Sequence, residues 1–325
     1  MRLIISSCKI SVLFIILMIT VIPLCGFTPP EKAEFRWKTG LGMNMPNDPL
    51  LFDLDGDGTR EAVCTDIEGK VIVFDAQSGD KLWRTEIEDN PGLTAPVAGD
   101  FLGDGSFDIA FGANTGQIFL IDGASGEILL SHDVKNKLVT APTIVPLKST
   151  NGESRTGLVI NDVRGNVSLF EFNCKESQTD EKDAGEFPVC SAKSLWSIGV
   201  NARISAHMSV GHVTGIDDVN ILVGTSKGEI WILNRDDPEK VYTFVNFNNR
   251  EIMTIPALAD LTGDRRREIV FGDSGGYINA VHFTDGEPER MWPRDLPVYE
   301  NPKETLIISD LNGDGKDDIL CLTPR

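Results

Sequence analysis

The chain has 325 residues, 41% of them hydrophobic, enough to bury a sizeable core in one large repeat-built domain or in two ordinary ones. A net charge of −19 repels phosphate backbones and anionic lipid, which argues against nucleic acid and membrane surfaces as partners. Aromatic residues make up only 7% while glycine occurs 31 times, a balance that suits many short strands joined by tight turns.

Arg2 and Lys9 form a positive segment around the start of the apolar run ISVLFIILMITVIPLCG. Residues 1–26 therefore read as a signal peptide cut after Gly26, since small residues are favoured just before a cleavage site. The run is about 17 residues, at the lower limit for a spanning helix, so an uncleaved N-terminal anchor is the alternative. Leu24 ahead of Cys25 is too bulky for a lipid-attachment box. The expected location is secreted, periplasmic or cell-surface, with the membrane touched only through such an anchor.

Residues 33–325 repeat themselves. An apolar strand enters an acidic loop in PLLFDLDGDG from Pro49, PVAGDFLGDG from Pro96, PALADLTGDR from Pro256 and LIISDLNGDG from Leu306. A second strand follows (EAVCTD, DIAFGA, EIVFGD, DILCL), then a glycine turn and a third strand (GKVIVFDA, GQIFLIDG, GNVSLFEF, GEIWILNR, GYINAVHF), then a fourth (SGDKLW, SGEILL, DPEKVY, GEPERMW). The period is about 46 to 50 residues, and four strands per repeat at that period is the pattern of a β-propeller. The expected fold is all-β, a β-propeller of about six four-stranded blades. Its last blade is incomplete and closed by an N-terminal strand around Trp37, where FRWKTG matches the fourth-strand ends LWRTE and LWSIG. Trp83, Trp196 and Trp292 recur at the fourth strand and read as packing between blades. Gly69, Gly116, Gly165, Gly228 and Gly276 fall where a hairpin turn needs positive φ. Two repeats are degenerate, with Pro146 and Gly211 standing where the acidic loop should begin.

In DLDGDGTRE, Asp53, Asp55, Asp57 and Glu61 hold positions one, three, five and nine, and the carbonyl of Thr59 adds another oxygen. Alternate positions of a tight loop turn oxygens inward, and Ca²⁺ takes six to eight hard oxygens at ~2.3–2.6 Å. Asp310, Asn312, Asp314 and Asp318 repeat the set. Asp100, Asp104 and Asp108 form a weaker version with Leu102 at position three. Asp260, Thr262, Asp264 and Glu268 form another, crowded by Arg265, Arg266 and Arg267. A bidentate Glu at position twelve would mark an EF-hand; here Cys64 and Cys321 stand there between strands. The bland alternative, an Asp/Gly turn capping its own backbone, leaves several carboxylates repelling one another. Cys64 and Cys321 read as buried thiols. Cys174 and Cys190 flank the acidic insertion in residues 172–194 and are expected to close it as a disulfide in an oxidising compartment.

The D-x-D-G-D-G-x-x-E phrase in a strand–loop–strand repeat resembles the FG-GAP/VCBS repeats of integrin α-type propellers and of many secreted bacterial proteins. The turn FDAQSGDKLW is similar to the tryptophan motif of quinoprotein-type (PQQ-like) propellers. The resemblance implies Ca²⁺ in loops between the first and second strands of each blade, on one rim. The expected role is a secreted or cell-surface calcium-binding scaffold that binds a protein or polysaccharide ligand, without an enzymatic activity. The alternative is a propeller-fold enzyme. A quinoprotein dehydrogenase-like protein is disfavoured by the chain's length and its lack of adjacent cysteines. A polysaccharide lyase-like one would have to draw on His207, His212 and Arg203.

Overall fold

The computed structural model describes residues 3–6, 37–38, 45, 47–89, 91–138, 140–148, 155–175, 189–204, 206–246, 249–284, 286–292, 296–297 and 305–322. Among these there are strands and turns but no α-helix. No helix of the described residues is long and apolar enough to cross a membrane; the apolar run of residues 10–26 lies outside them. The chain divides into two compact units, Phe35–Asn201 on one hand, and Met1–Glu34 with Ala202–Arg325 on the other. Strand β1 (Leu3–Ser6) belongs to the latter.

The Phe35–Asn201 unit holds three four-stranded antiparallel sheets, each built from strands consecutive in sequence. They are β2 (Leu50–Phe52), β3 (Glu61–Thr65), β4 (Lys70–Asp75) and β5 (Lys81–Glu86); β6 (Val97–Gly99), β7 (Asp108–Gly112), β8 (Gln117–Asp122) and β9 (Ile128–Asp133); and β10 (Thr143–Leu147), β11 (Arg155–Asn161), β12 (Asn166–Lys175) and β13 (Val189–Gly199). Strands β3 and β7 are buried at every position, while β5 and β9 alternate between covered and exposed side chains. That gradient explains the sequence pattern: a strand covered on both faces reads as a continuous apolar run, a strand at the outer edge does not. Register lines Leu50, Val63, Val73 and Trp83 across the first sheet, and Val97, Ala110, Leu120 and Leu130 across the second.

The first and second sheets are pinned through a tryptophan. Trp83 Nε1 donates to the carbonyl of Gly123 at 2.9 Å, and a Cβ on Gly126 would sit 2.5 Å from its ring. Trp37 stands in the same relation one repeat earlier: Nε1 donates to Ala76 at 3.0 Å and the ring covers Gly79.

The second unit adds β14 (Ser209–Gly211), β15 (Asn220–Gly224), β16 (Glu229–Asn234) and β17 (Val241–Val245) as a fourth sheet. The fifth contains β18 (Ala257–Ala259), β19 (Glu268–Gly272), β20 (Tyr277–Thr284) and β21 (Glu287–Arg290), with β22 (Leu296–Pro297) also paired to β20. The sixth has three strands, β23 (Ile307–Ser309), β24 (Asp318–Leu322) and β1.

The details of the repeat differ from the sequence reading in four places. The N-terminal strand on β24 is Leu3–Ser6, running parallel to it; of the segment around Trp37 expected there, only Trp37 and Lys38 are described, and neither is in a strand. Pro146 lies inside β10, opposite Thr156, and does not begin a loop; β10 is an edge strand, where a missing N–H is tolerated. Gly211 likewise ends β14, where a Cβ would meet the Leu258 side chain at 2.0 Å, so His212 is the first loop residue. Finally, much of the expected insertion is regular hairpin: β12 and β13 pair out to Lys175 and Val189, with Cys174 directly opposite Cys190 and joined to it by a disulfide. Residues 176–188 lie outside the described ones. Cys64 and Cys321 are buried, and burial pushes both thiols up, Cys321 to about 11. The five turn glycines Gly69, Gly116, Gly165, Gly228 and Gly276 all have φ between 75° and 92°.

Candidate metal centre

Each acidic loop connects the first two strands of its sheet. In loop one, between β2 and β3, Asp53 accepts the amides of Gly56 (2.8 Å) and Gly58 (3.0 Å) through its two oxygens. Asp55 Oδ1 accepts the Asp57 amide at 3.1 Å, and Asp57 Oδ1 takes both the amide and the hydroxyl of Thr59 at 2.6 Å, which lowers the Asp57 pKa. Gly58, with φ 91°, supplies a backbone that a side chain rarely adopts. Glu61, the first residue of β3, is buried; its Oε2 accepts the Leu54 amide at 2.7 Å. Oxygens of Asp53, Asp55 and Glu61 all lie within 4.8 Å of one another. That is the widest spacing two ligands on one Ca²⁺ can have, about twice a ~2.4 Å bond. Burial and then the charges of Asp55, Asp57 and Asp53 raise the Glu61 pKa, against the Leu54 amide.

Loop two, between β6 and β7, repeats the scaffold. Asp100 accepts the amides of Gly103 (2.6 Å) and Gly105 (3.1 Å), and Asp104 that of Ser106 (2.8 Å). Asp108 begins β7, is 2% exposed, and leaves Oδ2 buried without a hydrogen-bond partner. Burial, with the charges of Asp104, Asp122 and Asp100, pushes its pKa up to about 7, against a bond from the Phe101 amide. An orphaned carboxylate oxygen beside other carboxylates is costly without a cation. Loop two, the weaker set in sequence because of Leu102 at position three, is thus most in need of one at position nine.

In the second unit, Asp310 of loop six accepts from Gly313, Asp314 and Gly315, which lowers its pKa. Asn312 donates Nδ2 to Asp318 Oδ2 at 3.2 Å, an oxygen that also accepts the Leu311 amide at 3.1 Å. Asp314 Oδ1 accepts from Lys316. Loop five keeps the fold, with Asp260 accepting from Gly263 and Arg265 and the buried Glu268 from Leu261. Asp264 is held low by the Arg266 amide, Thr262 and the Arg266 charge. Loop four keeps the geometry and loses the charge. Asn220 takes the place of Glu61 at the start of its strand, fully buried, and its Oδ1 accepts the Val213 amide at 3.0 Å. His212 takes the place of Asp53, with Nδ1 donating to the Asp218 carbonyl. Sequence inspection missed this loop because Gly211 was aligned one residue early. Arg203, weighed above as a lyase residue, pairs with Glu251 at 2.7 Å.

Residues 53–111, which span loops one and two, match the FG-GAP-like repeat. The six sheets form a β-propeller, with the FG-GAP-like match lying in the first two of them. Solved structures similar to the propeller include BamB from Moraxella catarrhalis, at 14% identity and a TM-score of 0.53, over 82% of this chain and 66% of that one. BBS1N, solved in complex with ARL6DN, matches at 12% identity and TM-score 0.53 over 84% and 74%. The WD40 domain of SCAP from fission yeast matches at 13% and 0.53 over 83% and 61%. The propeller thus spans about two thirds of the length of the chains it matches. No curated protein matches it. Such low identities establish architecture and leave the role to the site.

Proposed function

We propose that the chain is an exported, calcium-stabilised interaction scaffold that binds protein or polysaccharide partners and carries no catalytic centre of its own. The observation that carries the calcium reading is the buried, unpartnered Oδ2 of Asp108. The clustered oxygens of Asp53, Asp55 and Glu61 support it independently. These residues, with Asp57, Asp100, Asp104 and the loop-six set, would hold Ca²⁺. The ion would neutralise the carboxylates and cross-link each loop to the start of its second strand. The FG-GAP-like repeats and the propeller fold support the scaffold role, and BBS1N, a propeller-like neighbour, is itself found with a partner, ARL6DN. Export rests on the character of residues 1–26.

A ligand bound only by the native state adds RT ln(1 + [L]/Kd), roughly 1.4 kcal/mol per site for ~1 mM Ca²⁺ and a Kd of ~0.1 mM. Melting of the chain in Ca²⁺ and in EDTA should differ by several degrees, and identical curves would overturn the calcium reading. The scaffold reading is tested separately, by pull-down and glycan array with the chain from residue 33 onward.

A further inference from the structure

An open groove of about 690 Å³ lies between loops four and five of the second unit. These are the two described loops that depart from the acidic pattern, one by losing carboxylates and the other by gaining arginines. Its walls include Ile216, Tyr242, Phe283 and the run Arg265, Arg266 and Arg267. Tyr242 and Phe283 meet edge to face with centroids 4.9 Å apart, a rigid aromatic floor. Ile216 is 89% exposed, the most exposed of the large hydrophobic residues described.

Within the groove the charge of Arg266 bears on Asp264. None of the three guanidinium groups makes an ion pair among the described residues. The two acids of the groove are already engaged: Asp218 accepts from Thr214 and Asn234, and Asp264 from the Arg266 amide. Arg265 has φ 70° where loops one, two and six place Gly58, Gly105 and Gly315 at 91°, 86° and 85°. A left-handed backbone disfavours every residue but glycine, so arginine here costs stability that glycine would not.

We propose that this groove docks an extended acidic segment of a partner protein. The arginines take its carboxylates, and Ile216 with the aromatic pair takes one of its apolar side chains. Arginine and tyrosine beside an exposed aliphatic side chain is the composition of a protein-binding hot spot. A polyanionic glycan would find charge complementarity but nothing to cover Ile216. On a chain of net charge −19, a cationic patch also sets the orientation in which an acidic partner approaches.

The inference rests on the scaffold reading above and names its site and partner class. The test is fluorescence anisotropy of the full chain with a short synthetic peptide carrying Glu and Asp on both sides of a central Leu-Phe pair. Arg265→Gln/Arg266→Gln/Arg267→Gln should weaken binding by roughly 10–100-fold, and Ile216→Asp by at least about tenfold. Arg265→Gly guards against misfolding: its melting temperature should rise while its affinity for the peptide falls, an opposition that a purely structural arginine does not give. No binding of the peptide, or binding unchanged in the triple variant, overturns the proposal. So does an oligogalacturonate that binds through the same arginines when the peptide does not. A chain that ignores the peptide yet captures other proteins or glycans loses the groove and keeps the scaffold; one that captures nothing loses both.

Discussion

Leu54 and Glu61 hold each other across the first acidic loop, the amide of one donating to Oε2 of the other at 2.7 Å. Leu261 and Glu268 do the same in loop five, Leu311 and Asp318 in loop six, and Val213 and Asn220 in loop four. The ninth position is therefore a structural clasp as well as a candidate ligand. Its carbonyl-type oxygen is what the fold requires, and its charge is what a cation requires.

Glu61→Gln separates those two roles, because the amide still accepts from Leu54 but brings no charge. The variant should fold as well as the wild type in EDTA, or slightly better, since burial and three neighbouring aspartates oppose the charged form. Its affinity for Ca²⁺ at loop one should fall at least about tenfold, a loss of ~1.4 kcal/mol. Calcium titration followed by melting temperature reads both effects.

Asp108 predicts a pH dependence. Its folded pKa, about 7, lies above the ordinary aspartate value of 3.8, so the folded state holds the proton more tightly. Its stabilising contribution is complete below pH ~4 and is lost as pH rises through about 7. In EDTA the wild type should therefore lose stability over that window relative to Asp108→Asn. Calcium should reverse the trend, because a cation needs the ionised carboxylate and displaces its proton. Parallel pH profiles for wild type and variant in EDTA would refute the assignment.

Gly126→Ala should be costly. The new Cβ would stand 2.5 Å from the Trp83 ring at a φ of 77°. Strain and overpacking together suggest roughly 2–4 kcal/mol. Gly56→Ala is the control: φ is 75° but nothing lies within 4 Å, so only the backbone part remains, about 1 kcal/mol. Denaturant unfolding in EDTA separates the packing from the strain.

Reducing or removing the Cys174–Cys190 bridge should destabilise the hairpin. The cysteines are 16 residues apart, and closing a loop of that length is worth up to about 3 kcal/mol. Non-reducing peptide mapping should recover the linked pair, and Cys174→Ser/Cys190→Ser should melt lower and ignore dithiothreitol.

Much of the architecture was legible because it depends on local chemistry. Alternation, turn glycines and acidic phrases mark strands and loops residue by residue, and sixteen-residue spacing around a polar insertion marks the disulfide. The loops were legible as sets of oxygens. What was hidden depends on burial and on contacts distant in sequence. That Asp108 has an oxygen no donor reaches is a property of packing, and a missing third ligand in the motif pointed the other way. Loop four looked empty because a neutral Asn220 performs the clasp, and strand ends were misplaced by a residue or two at Pro146 and Gly211. The groove was invisible for the same reason: Ile216, Arg265 and Phe283 come from three separate segments.

Two tryptophan bonds in the Phe35–Asn201 unit run in the same direction along the chain. Trp37 reaches forward to Ala76, and Trp83 reaches forward to Gly123. Synthesis proceeds from the N-terminus, so each indole leaves the ribosome before the carbonyl it will bond. Trp83 of the first repeat is thus a waiting donor for the turn of the second, and there the order of translation is also an order of docking.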